Sequence, residues 1–127
     1  MNRELFISQI RSEVPVGSVF ENPGGGISAV LSVTGTHIAY RRGKSKISIS
    51  FDDLFTAYTS FHGQLVCTSD LRVFAPSVFD SCARPSGHSC NATFLFSLLQ
   101  RIRLAGAIIG SGVKGNPFSV HFFSPLK

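Results

Sequence analysis

Tryptophan is absent from this chain, methionine occurs once and cysteine three times. An odd cysteine count without paired spacing argues against a disulfide framework and fits a reducing compartment. Acidic residues are scarce, 7 Asp+Glu in 127 residues. Metal-dependent phosphodiester cleavage needs grouped carboxylates. The one adjacent pair, Asp52 and Asp53, stands instead where the first turn of a helix favours negative charge. A GxxxxGK[ST] phosphate loop is also missing, since "GSGVKG" lacks its spacing and its hydroxyl. Nor is there an apolar run of the roughly 18 residues that a membrane helix requires, so a membrane partner is not expected. The opening "MNRELFISQIRSEV", interrupted by Glu4 and Glu13, lacks the apolar stretch of a signal peptide. A cytoplasmic protein is expected.

What the chain does contain is apolar bulk and positive charge. Hydrophobic residues make up 43% and charged residues 15%, with 12 Phe, enough for the core of a single compact unit. Lys+Arg number 12 against the 7 acids, a net charge of +5. A small domain this basic favours a polyanionic partner.

Hydrophobic period organises the rest. Leu5, Phe6, Ile7, Ile10 and Val14 predict an amphipathic helix over 3–14. "VPVGSVFENPGGG" breaks it. The period then becomes two in "ISAVLSV", "THIAYRR" and "KISISF", which predict a three-stranded antiparallel meander. Its second turn gathers Arg41, Arg42, Lys44 and Lys46. Ser50 with Asp53 forms a variant capping box ahead of a helix carrying Phe51, Leu54, Phe55, Tyr58 and Phe61. A brief strand "QLVC" follows, then a helix capped by Ser69 and kinked by Pro76, a turn "DSCARPSG", and a third helix over 89–105. "AIIG", "SGVKGN" and "PFSVHFF" predict strand, glycine-rich loop and strand.

From Phe51 onward, the order of helix, short strand, helix, turn, helix, strand, loop, strand resembles the winged helix-turn-helix superfamily over residues 51–123. The resemblance implies an α+β fold: a winged-helix domain over 51–127, preceded by an extension over 1–50 of helix plus β-meander, together one unit. It implies that the third helix reads the DNA major groove and that the loop after it, the wing, rests on phosphates. Candidate reading residues are Arg84, His88, Ser89, Asn91, Thr93, Ser97, Gln100 and Arg101, around a packing stripe of Phe94, Leu95, Leu98, Leu99 and Ile102. Asn and Gln suit adenine, Arg suits guanine, and Ser or Thr suit base edges or phosphates. The same residue types also furnish any solvated helix face. Lys114 and Asn116 in wing 110–117 and the basic turn would hold phosphates without reading sequence.

Cys82, His88 and Cys90 give C-x5-H-x-C, which lacks the C-x2-C knuckle of a zinc site, so no metal or cofactor is expected. Cys90 at a helix start is a conceivable nucleophile. However, His88 two residues away is poorly placed to act as its base, and a packed structural thiol explains it more simply. The expected function is non-catalytic binding of double-stranded DNA in a regulatory, mobile-element or defence setting, with the 1–50 extension adding grip or making a homodimer. The alternative is a protein-interaction module on the same scaffold.

Overall fold

Most changes of hydrophobic period in the chain become changes of element. The structure is a computed structural model that describes residues 1–125; positions 126 and 127, the end of the second expected unit, lie outside the described residues. Helix α1 (Arg3–Glu13) starts at Asn2, whose side chain accepts from the Leu5 amide, and buries Phe6, Ile7 and Ile10. Four strands follow: β1 (Val19–Glu21), β2 (Ile27–Val33), β3 (His37–Arg42) and β4 (Ser45–Ser50). They form an antiparallel sheet in sequential order, with Val30 opposite Tyr40 and Tyr40 opposite Ile47. The expected three-stranded meander therefore has a fourth strand. Val19–Glu21, embedded in a Pro- and Gly-rich stretch, pairs with β2 and buries Phe20.

Ser50 ends β4 and caps α2 (Phe51–Phe61), its hydroxyl accepting from the Asp53 amide. Strand β5 (Leu65–Cys67) leads into α3 (Thr68–Phe74). The cap of α3 is not Ser69 but Cys67, whose amide donates to the Asp70 carboxylate. Pro76 divides this region, as expected, into α3 and the single turn α4 (Pro76–Phe79). Helix α5 (Cys90–Arg101) is shorter than the expected 89–105 span. Beyond it the chain makes only isolated bridges, Ala105 to Phe122 and Ile109 to Ser119, before β6 (Ser119–His121) pairs antiparallel with β5.

One buried cluster runs from Phe6 to Phe122, so the 1–50 and 51–125 segments share a core. Its centre is α5, in which every residue from Asn91 to Leu99 is buried. On one side Tyr40 of β3 stacks on Phe94, with centroids 3.8 Å apart and planes at 11°, and Phe20 meets the same ring edge-on. On another, Phe96 packs edge-on against Phe122 beside β6. Such aromatic pairs add ~0.5–1.5 kcal/mol each beyond their buried area. The architecture is mixed α+β: a four-stranded antiparallel sheet and a two-stranded sheet packed about a central helix. Among the described residues, no helix is long and apolar enough to cross a membrane.

Candidate nucleic-acid interface

In β3 the alternation of the strand points Tyr40 inward and Arg41 outward. Arg41 stands directly opposite Lys46, and Arg42 opposite Ser45. The reversal needs only Gly43 and Lys44, and Gly43 supplies the positive φ of +59° that such two-residue turns demand. Like charges placed directly opposite each other on a sheet are destabilising. No carboxylate relieves this pair: the ion pairs among the described residues are Arg3 with Asp52 and Arg103 with Glu13. Both involve α1 and leave the basic hairpin unneutralised.

The Asn22–Gly26 turn between β1 and β2 lies beside this hairpin. Together they enclose a shallow depression of about 470 Å³, lined by Asn22, Gly25, Gly26, Arg41, Arg42 and Gly43. Phe118, at the base of the 110–117 loop, approaches the same region. A β-carbon at Gly24 would touch its ring at 3.7 Å, and one at Gly112 would lie 2.4 Å from it. Gly112, with φ +77°, is therefore required twice, by its backbone conformation and by the ring it packs on. Lys114 is exposed in this loop. Asn116 is occupied in building it: its carbonyl accepts from the Gly112 amide, and its side chain donates to the Ser111 hydroxyl. The β1–β2 turn and the glycine-rich loop thus both pack on Phe118, and Arg41, Lys44, Lys46 and Lys114 are exposed.

The residues assigned to groove reading on α5 are not on an open face. Asn91 is 1% exposed, and Thr93 and Ser97 are buried. Asn91 accepts a hydrogen bond from the Tyr40 hydroxyl at 2.8 Å and donates to the Val78 carbonyl at 2.9 Å. Thr93 accepts from Arg42 Nη1 at 3.1 Å. The chain's own sheet covers the face that the groove would need, which corrects the assignment of Asn91, Thr93 and Ser97 as base contacts. Gln100 is half-buried and donates to the Gly106 carbonyl, and Arg101 lies 4.6 Å over the Phe20 ring. Both occupy the carboxyl-terminal end of α5, away from the end where Ser89 and Cys90 stand. Ser89 is exposed there and bonds through its hydroxyl and amide to Ser81. His88 is half-buried, its amide donating to Val78, and Arg84 is exposed in the preceding turn.

No protein-family model, curated protein or solved structure matches this chain. The geometry alone carries the reading of the site.

Burial raises the pKa of the Tyr40 phenol strongly; the neighbouring Cys90 adds to the shift and Arg42 opposes it. Tyr58, whose hydroxyl donates to the Phe123 carbonyl, is raised by burial as well. Arg3 is held charged by its bond to Asp52. Cys82, His88 and Cys90 do not converge: among the described residues no group of three His, Cys, Asp or Glu side chains is arranged to hold a metal. One cation missing from the sequence reading is Arg72 of α3, which lines a cleft with Arg42. Its signal was an arginine on a short helix whose one acid, Asp70, is committed to the Cys67 cap.

Proposed function

We propose that the chain is a non-catalytic, double-stranded DNA-binding protein that grips phosphates through the end bearing the basic β3–β4 hairpin and the 110–117 loop. The observation that carries this is the Arg41–Lys46 pair, directly opposed without a carboxylate partner among the described residues, with Lys44 in the turn between them and Lys114 exposed in the 110–117 loop. A polyanion relieves the repulsion between such groups, and phosphate contacts of this kind position a duplex without reading its sequence. Residues 51–123 are on this reading a winged-helix unit. The element order supports it, as do the β5–β6 pairing and the bridges that tie residues 105–109 to 119–122. Its third helix, α5, is sealed by the amino-terminal sheet, so the wing and the basic hairpin make the contact. A regulatory or accessory role in the cytoplasm fits such sequence-tolerant binding.

The test is a salt titration of duplex binding. Four phosphates neutralised give a slope of log K on log salt of about −3.6. That amounts to a loss of roughly 150-fold between about 50 and about 200 mM salt. Absence of binding at low salt refutes the proposal. A protein-interaction module is the second reading, favoured by Val73, 81% exposed, and Phe74, 41% exposed, which stand together on α3. A protein that fails to bind duplex, and whose capture of a protein partner is lost on Val73→Ser, belongs to this class.

A further inference from the structure

Between the end of β3, the start of α3 and the start of α5 lies a cleft of about 200 Å³. Pockets for whole drug-sized ligands run ~300–1,000 Å³, so this one suits a single chemical group. Its polar lining is Arg42, Thr68, Arg72, Ser89, Cys90 and Thr93, and Phe118 closes one side. Two guanidiniums share the cleft, and neither has a carboxylate partner among the described residues. The nearby acids are already engaged: Asp70 accepts from the Cys67 amide and Asp80 from the Cys82 amide. Arg42 is fixed by its bond to Thr93, while Arg72 is exposed at the rim. A guanidinium presents a planar fork of donors that fits a tetrahedral oxyanion bidentately. The hydroxyls of Thr68 and Ser89 add donors that rotate to suit, that of Thr93 being engaged by Arg42 and the Cys90 carbonyl, and the amino end of α5 contributes partial positive charge.

We propose that this cleft binds a phosphate monoester, with Arg42 and Arg72 gripping its oxygens from two sides. It is a separate site from the hairpin surface, and its ligand is either a free phosphate compound or the 5′-phosphate at the end of a nucleic-acid strand. Occupancy would join β3, α3 and α5 through one group.

Inorganic phosphate is the first probe, titrated by amide NMR against chloride at matched ionic strength. Saturable shifts at Thr68, Cys90 and Thr93 are expected. Arg72→Gln weakens them about tenfold or more, the effect of losing a charge-assisted contact, and Arg11→Gln on α1 leaves them unchanged. Shifts that are absent, or equally reduced by both variants, or spread over Lys44 and Lys114 instead, overturn the site. The unaltered protein supplies a second measurement. Phosphate should slow alkylation of half-buried Cys90 while leaving exposed Cys82 unaffected, and equal rates with and without phosphate count against the cleft. Once phosphate binds, the same short duplex with 5′-phosphate or 5′-hydroxyl ends distinguishes the sources. A preference for the phosphorylated end that Arg72→Gln removes assigns a strand end, whereas equal binding assigns a free phosphate. Failure of the duplex salt titration leaves the orthophosphate result standing, so the two proposals fail separately.

Discussion

Replacing Asn91 by alanine separates a core residue from a groove reader. The Asn91 amide is enclosed, with the Tyr40 hydroxyl on its oxygen at 2.8 Å and the Val78 carbonyl beyond its nitrogen at 2.9 Å. Truncation strands the Tyr40 hydroxyl in a buried setting, while the Val78 carbonyl keeps the His88 amide as its donor. Such an unsatisfied group costs about 1–3 kcal/mol, and adjustment of the Tyr40 hydroxyl or entry of a water recovers part of that. A net destabilisation of about 1–3 kcal/mol follows, a large share of the ~5–15 kcal/mol that holds a domain of this size together. Urea unfolding followed by far-UV circular dichroism measures it as a lowered midpoint with the slope unchanged. Duplex affinity of the folded fraction should be unaltered, and so should its ranking among unrelated duplex sequences. A loss of stability below about 0.5 kcal/mol, the range of exposed substitutions, together with a changed sequence ranking, would refute the burial of α5 and restore the helix as a reader.

The double change Lys44→Ala with Lys46→Ala should flatten the salt dependence of duplex binding by about 1.8 in slope, since each lost phosphate contact contributes ~0.9; an unchanged slope removes the hairpin from the interface. Lys46→Glu puts opposite charges face to face with Arg41, so it should raise the unfolding free energy in urea titration by about 0.2–1 kcal/mol while weakening duplex binding. A variant that is both less stable and fully active contradicts the hairpin argument. In the folded protein the Tyr40 phenol keeps its proton to higher pH than in the unfolded chain, so stability should fall as pH rises above about 10. Tyr40→Phe should be less stable at neutral pH by about 1–3 kcal/mol, because the Asn91 oxygen loses its donor, and its alkaline decline should be shallower; parallel pH profiles would show that Tyr40 is not the group responsible. Gly112→Ala should cost more than about 1 kcal/mol, through its positive φ and its collision with the Phe118 ring, and should reduce duplex binding through the displaced loop; equal stability and affinity would mean that the loop is not anchored on Phe118.

Elements whose apolar residues follow one clear period were legible in the sequence. Helices α1 and α2, strands β2 to β4 and the break at Pro76 all fall where periodicity and caps put them. Strand β1 was hidden because it is three residues long and flanked by Pro15, Gly17, Pro23 and the Gly24–Gly26 run. Those breakers mark its ends and its return turn. The packing stripe on α5 was also legible, since Phe94, Leu95, Leu98, Leu99 and Ile102 are all buried. The opposite face was not. Asn91, Thr93 and Ser97 are short polar residues that look alike whether they face water or find partners inside. The hydroxyl that satisfies Asn91 belongs to Tyr40, 51 positions earlier in the chain, and no local pattern announces so distant a contact. Of the site, the basic hairpin was visible as a charge cluster, whereas Arg72 became meaningful only when the fold set it across a cleft from Arg42.

The covering of α5 also decides whether the helix could read DNA after a local opening. Lifting the sheet would expose Phe20, Val30, Tyr40, Ile47 and Ile49 together with Phe94, all of them buried. At about 2 kcal/mol per side chain the exposure costs roughly 12 kcal/mol, comparable to the whole stability of a small domain. Binding to a specific duplex site exceeds non-specific binding by only ~4–10 kcal/mol, so groove contacts from α5 would not repay the opening. The hydrogen bonds from Tyr40 to Asn91 and from Arg42 to Thr93 add to the closed side of that balance. On the proposed function, a duplex would therefore meet the folded protein at its exposed cations, Arg41, Lys44, Lys46 and Lys114. In this arrangement the amino-terminal sheet that seals the helix also carries Arg41 and Lys46, the cations proposed to contact phosphate.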